Sequence, residues 1–142
     1  MTSQTTMNRT RDVRLELQAM PEAILHADIA IRRIGRKIGL SRTVTERIAK
    51  ATCEVVLNAC TYAYRGDSGV IVLHVTVDDH QLQIEVTDFG RGFTCDDYFR
   101  SDGSRGPKAY PHSGLFIAAQ AVDRLFIESG TSGTTVRMIK RV

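Results

Sequence analysis

The strict alternation from Gln81 to Thr87 runs directly into Asp88-Phe89-Gly90-Arg91-Gly92, and this join constrains the chain more than any other stretch. Leu82, Ile84 and Val86 fall on one face and Gln81, Gln83 and Glu85 on the other. The segment is therefore a half-buried strand with one wet side. A carboxylate at its end, followed by backbone without Cβ, suits holding a flat polar ring. Taken alone, Asp-x-Gly-x-Gly is also the pattern of an ordinary polar turn, so the remaining residues have to decide what the join is for.

Around this strand the pattern changes period several times. Val13, Leu15 and Leu17 alternate as a short strand, and residues 1–12 ahead of them read as a disordered tail. Pro21 opens a helix whose stripe is Ile24, Ala27, Ile31, Ile34 and Ile38, with Arg32, Arg33, Arg36 and Lys37 outside it and Gly39 closing it. A second helix starts at Ser41 to Thr43, where Thr43 and Glu46 have capping-box spacing. Its stripe of Val44, Ile48, Ala51, Val55, Ala59 and Tyr62 continues to about Tyr64. After the turn residues Arg65 to Gly69, Val70 to Val77 forms a hairpin with the Gln81 strand.

From Thr94 to Ser113 periodicity stops, and a loop of that length in a compact domain is usually functional. A helix resumes over Gly114 to Leu125, and Phe126-Ile127 with Thr135 to Val142 make a closing hairpin. This order predicts an α+β two-layer sandwich, a mostly antiparallel sheet covered on one face by helices, in a single domain over residues 13–142.

Composition bounds the function. With 42% hydrophobic and 25% charged residues this is a globular chain, and no apolar run is long enough to span a membrane. No signal peptide precedes the domain, so a cytoplasmic location without a membrane partner is expected. The net charge of +3 is scattered rather than concentrated, which argues against nucleic acid. Cys53, Cys60 and Cys95 form neither a disulfide framework nor a zinc site. On one helix Cys53 and Cys60 would lie about 10 Å apart, beyond disulfide reach, so they read as small core residues.

Three further groups carry chemistry. Glu54 and Asn58, four apart, project from one side of the second helix beside its buried stripe. Asn58 can share a magnesium ion with water while Glu54 polarises a hydroxyl; equally, both can line a solvated helix edge. Ser113-Gly114 opens a helix after the basic stretch Arg105 to Lys108, which suits a phosphate at the helix N-terminus or an ordinary capped loop. Gly133-Thr134-Thr135 places two hydroxyls after a glycine at the start of the last strand.

In this order the pieces resemble the GHKL or Bergerat-fold ATPases, the superfamily of gyrase, MutL and histidine kinases. Glu54-x-x-x-Asn58 is similar to its N box, Asp88-x-Gly90-x-Gly92 to its G1 box, the Gly114 region to its G2 box, and Gly133-Thr134-Thr135 to the strand motif that follows. The run Glu54 to Tyr64 and the ending Gly133 to Lys140 resemble most closely the anti-sigma-factor serine/threonine kinases of bacterial partner-switching systems. A length of 142 residues without a sensor or dimerisation segment is in keeping with that family.

The resemblance implies that ATP and magnesium are bound, with Asp88 accepting a hydrogen bond from the adenine amino group. Gly90 and Gly92 would pass under the base and ribose, and Ser113, Gly114, Leu115 and Thr134 would complete the nucleotide site. Asn58 would ligate magnesium, and Glu54 would be the general base for a substrate serine. The implied partners are a STAS-domain anti-anti-sigma protein, a sigma factor and a second copy in a homodimer. The alternatives are a non-catalytic nucleotide-binding module and a switch kinase acting on a signalling complex without a sigma factor. Two positions depart from the family. His112 stands where the G2 box has its first glycine, so its side chain either crowds the phosphates or contacts them. Tyr62 replaces the usual histidine, and is expected to be a packing change.

Overall fold

The computed structural model describes residues 11–65, 67–90 and 114–142. Strand β1 spans Arg11–Gln18 and pairs antiparallel with β2, Val70–Val77, in the register Arg11↔Val77 to Gln18↔Val70. Arg11 and Asp12, assigned from sequence to the tail, are thus the first rungs of β1; residues 1–10 lie outside the described residues.

Between these strands run helices α1, Pro21–Lys37, and α2, Arg42–Asn58. Pro21 occupies the first turn of α1, and Glu22 near its start and Arg36 and Lys37 near its end complement the helix dipole. The end closes as expected at Gly39, whose φ of +76° lets its N–H reach Arg36 O at 3.3 Å and the Leu40 N–H reach Gly35 O at 2.9 Å. That reversal leaves Ser41 extended, and its hydroxyl accepts from the Val44 N–H at 3.2 Å. Ser41 is therefore the cap. The Thr43–Glu46 capping box is not formed, because Thr43 is already inside the helix and Glu46 is turned to Arg42, 3.1 Å away.

The second helix does not keep its period to Tyr64. From Ala59 to Ala63 it winds as a π-helical turn, and the Tyr64 N–H bonds Ala59 O at 3.3 Å, five residues back. The wider turn rotates the stripe, so Tyr62 faces outward at 59% exposure and Tyr64 packs against the core in its stead. Tyr62 is consequently neither a stripe residue nor a core packing change.

Strand β2 returns through a tight turn into β3, Gln81–Asp88, where Asp78 accepts from the His80 and Gln81 N–H groups at 2.7 and 2.9 Å. Helix α3 covers Gly114–Ala121 and stops four residues short of the sequence expectation. Arg124 and Leu125 are recruited instead by β4, Arg124–Gly130, through its ladder with β5, Gly133–Arg141. The sheet order is β1-β2-β3-β5-β4 and every neighbouring pair is antiparallel.

Leu17, Ile71, Leu73, Val75, Leu82, Ile84, Val86, Val136 and Met138 share one buried cluster with Ala27, Ile31, Ile48, Val55, Val56 and Leu115 of the helices. The helices thus cover a single face. The other face carries polar pairs, such as Glu85 with Arg137 at 3.3 Å and Thr87 with Thr135 at 3.1 Å. The architecture is the α+β sandwich of the Bergerat type. Cys53 and Cys60 are free and half-buried, packed at the edge of the core rather than within it, and burial pushes the Cys53 thiol up to about 11. Among the described residues no helix is long and apolar enough to cross a membrane.

Candidate functional site

Asp88 is the last residue of β3, on the helix-covered face and buried at 6% exposure. The alternation that buries Leu82, Ile84 and Val86 also carries its carboxylate inward, opposite Thr134 in the ladder. Its Oδ1 accepts from the Gly90 N–H at 3.0 Å and the Thr134 N–H at 3.2 Å; Oδ2 takes part in neither bond. Burial raises the carboxyl above its ordinary value, and the two backbone donors oppose that shift.

Two glycines let the chain close around this carboxylate. Gly133 has φ of +139°, and a Cβ there would stand 2.1 Å from Asp88 O. A Cβ on Gly90 would stand 2.5 Å from Ala63 O, so the segment after Asp88 lies directly against the π turn. Thr134 is buried, its hydroxyl 2.7 Å from that of Ser129. A cavity of about 480 Å³ adjoins this end of the sheet, lined among others by Asp88, Phe89, Ser129, Gly133 and Thr134. A more apolar cleft of about 780 Å³ lies at the other end of β2, between β1, α1 and β2, away from all of these residues.

Glu54 and Asn58 are half-buried on the flank of α2 that faces α3. A Cβ on Gly114 would come within 3.1 Å of Glu54 Oε2 and 3.3 Å of the Glu54 backbone oxygen. The first residue of α3 therefore rests on Glu54, and a side chain there would press on that carboxylate and its backbone oxygen. Among the described residues neither Glu54 nor Asn58 makes a side-chain hydrogen bond to the protein, which leaves both polar heads available. Leu115 anchors the helix at 2% exposure. Its side chain is thus in the core, and only its backbone can face a ligand. Gly92, Ser113 and His112, with the rest of the 94–113 loop, lie outside the described residues.

The structure brings the sequence-derived residues into two groups joined by one element. Glu54 and Gly114 meet on the last turns of α2, with Asn58 one turn beyond Glu54 on the same helix; Asp88, Gly90 and Thr134 meet against the π turn that continues it. Sequence reasoning missed Tyr64, whose hydroxyl donates to Val70 O at 2.6 Å and accepts from the Phe89 N–H at 2.8 Å. The available signal was an aromatic residue immediately ahead of a polar turn. Among the described residues no three or more histidine, cysteine or acidic side chains gather as a metal cage.

This fold is that of a kinase-like ATPase domain. Residues 11–140 match the histidine kinase-like ATPase domain family, and the chain belongs to it. The RsbU and RsbW domains of Rv1364c from Mycobacterium tuberculosis superpose with a TM-score of 0.67 at 23% identity, over 92% of this chain and 32% of that one. The histidine kinase domain of the blue-light activated kinase EL346 from Erythrobacter litoralis gives 0.58 at 24% identity, covering 84% of this chain and 63% of that one. The mycobacterial sensor histidine kinase MprB gives 0.51 at 19%, over 89% and 97%. This chain thus spans about a third of the first chain and under two thirds of the second. Among curated proteins there is no significant match.

Proposed function

We propose that the chain is an ATP-dependent protein-serine kinase that also acts as an anti-sigma factor, phosphorylating a STAS-domain anti-anti-sigma protein and sequestering a sigma factor, as a homodimer in the cytoplasm. The observation that carries this reading is the Glu54 carboxylate lying against Gly114 at the N-terminus of α3, with Asn58 one turn further along α2. A helix N-terminus attracts phosphate through its free amides and dipole, so a carboxylate beside it is placed to take a proton from a hydroxyl approaching that phosphate. A module that only bound nucleotide would have no use for that carboxylate. The fold likeness to a chain with an RsbW domain is in keeping with this reading.

At the other end of the site, buried Asp88 accepts a hydrogen bond from the adenine amino group; guanine presents an oxygen there and offers Oδ2 no donor. Gly90 and Gly92 admit the base and ribose, Thr134 closes the pocket, and Ser113, Gly114 and Leu115 offer backbone to the phosphates. A magnesium ion fits the donors present. Asn58 would supply one neutral oxygen, alongside phosphate and water oxygens of the kind this ion prefers. When bound, the ion neutralises charge on the phosphates.

The test is incubation of the protein with labelled ATP, magnesium and the STAS protein encoded nearest to it. Label transferred to a serine of that protein is the expected result. Glu54→Ala should keep ATP binding and lose transfer; transfer at the wild-type rate in that variant removes Glu54 from the general-base role. ATP binding with no transfer to any STAS partner would favour the non-catalytic module.

A further inference from the structure

We propose that Tyr64 is the positioning residue of the base site, and that its hydroxyl, wedged into the end of the sheet, sets the purine selectivity of Asp88. The inference rests on the reading that Asp88 receives the base.

The last pair between β2 and β3 is Ile71↔Asp88, so the next rung would join Val70 to Phe89. Gly69 O accepts from the Ala19 N–H on the β1 side, and carbonyls of successive strand residues point to opposite neighbours, so Val70 O faces β3. Val70 O and the Phe89 N–H are therefore the groups a direct rung would connect. The Tyr64 hydroxyl stands between them, donating to the first at 2.6 Å and accepting from the second at 2.8 Å. The phenol holds the strands apart at the residue after Asp88, satisfies both backbone groups, and lets Gly90 leave the sheet toward Ala63 O.

The ring is fixed from both sides. The π turn swings Tyr64 inward, and Gly69 leaves room for it, since a Cβ there would stand 2.2 Å from the ring. The Gly90 N–H that Phe89 leads into is one of the two donors on Asp88 Oδ1. A single hydroxyl thus sets the direction in which the carboxylate presents Oδ2. Both partners of the Tyr64 hydroxyl are backbone groups, so Tyr64 acts through Phe89 and Gly90.

The variant is Tyr64→Phe, which keeps the ring and removes only the wedge. Calorimetric titration of wild type and variant with ATP and with GTP should show ATP affinity falling about five- to tenfold and the ATP-to-GTP ratio narrowing by a similar factor, the loss of one hydrogen bond at a site that reads one amino group. Exchange of the Phe89 amide proton should accelerate beyond that of the β3 interior. Val75→Ala, at the far end of β2, is the control for general destabilisation and should leave the ratio unchanged. If Tyr64→Phe keeps the wild-type ratio, or Val75→Ala narrows it equally, the role of Tyr64 is overturned. Wild-type protein that binds neither nucleotide overturns the ATP reading itself, and with it this inference.

Discussion

At Asp88 one carboxylate serves two demands that conflict. Oδ1 is used by the protein, accepting from Gly90 and Thr134, and burial holds its proton affinity above the ordinary carboxylate value. With the folded-state value raised, the native state binds more protons than the unfolded chain between the ordinary and the raised value. The group's contribution to stability is therefore greatest below that window and is lost as pH rises through it. Asp88→Asn retains an oxygen for Gly90 and Thr134 and removes the charge. The variant should be at least as stable as wild type near neutral pH and lack this pH slope, as urea midpoints across the acidic range would show. It should bind ATP more weakly by about 1–3 kcal/mol, the loss of a buried hydrogen bond to a charged acceptor. Unchanged affinity by calorimetry would remove Asp88 from the base site. Its place at a strand end was legible in the alternation of β3. Its bond to the Thr134 N–H was not, because it joins residues 46 apart in sequence.

At the scale of elements, the limit of legibility is the C-terminal half of α2. The 3.6-residue stripe reads correctly as far as Ala59, but continued to Tyr62 it buries the wrong tyrosine. No local propensity marks the π turn; Tyr64 is drawn to Val70 O and the Phe89 N–H, both on strands that come later in the chain. The misplaced cap of α2 and the overlong α3 have the same origin. The Gly39 reversal selected Ser41, and pairing with β5 recruited Arg124 and Leu125. The β4–β5 turn makes an element-scale prediction. Gly133 combines φ of +139° with no room for a Cβ beside Asp88 O, so Gly133→Ala must strain the backbone or push the hairpin off β3. A loss of about 2–4 kcal/mol in urea unfolding is expected, with ATP affinity reduced as Thr134 moves. Gly130→Ala, in the same turn with open space around its Cβ position, should cost far less.

The whole molecule places the residues of the proposed site at the seam between layers. The succession of helices and strands, and hence the sandwich, was legible because burial on one face imposes period two on strands and period 3.6 on helices. The insertion of β5 between β3 and β4 was not, since nothing local tells the final strand to pair with β3 as well as with its hairpin partner. Yet that insertion is what brings Gly133 and Thr134 to Asp88. The site therefore exists only in the complete fold, and ligand binding and global stability are linked. ATP with magnesium at about 100 times its dissociation constant should stabilise the native state by about 2.7 kcal/mol, raising the unfolding temperature on the order of 10 °C for a domain of this size. Asp88→Asn at the same ATP concentration should show only about a tenth to two thirds of that rise, the range set by its 1–3 kcal/mol lower affinity. Glu54→Ala should show all of it if Glu54 has the proposed general-base role, which contributes to transfer and not to ground-state binding. Differential scanning fluorimetry of the three proteins separates the two ends of the site. Equal shifts in wild type and Asp88→Asn would place the base elsewhere, and a lost shift in Glu54→Ala would make Glu54 part of the binding surface rather than the base.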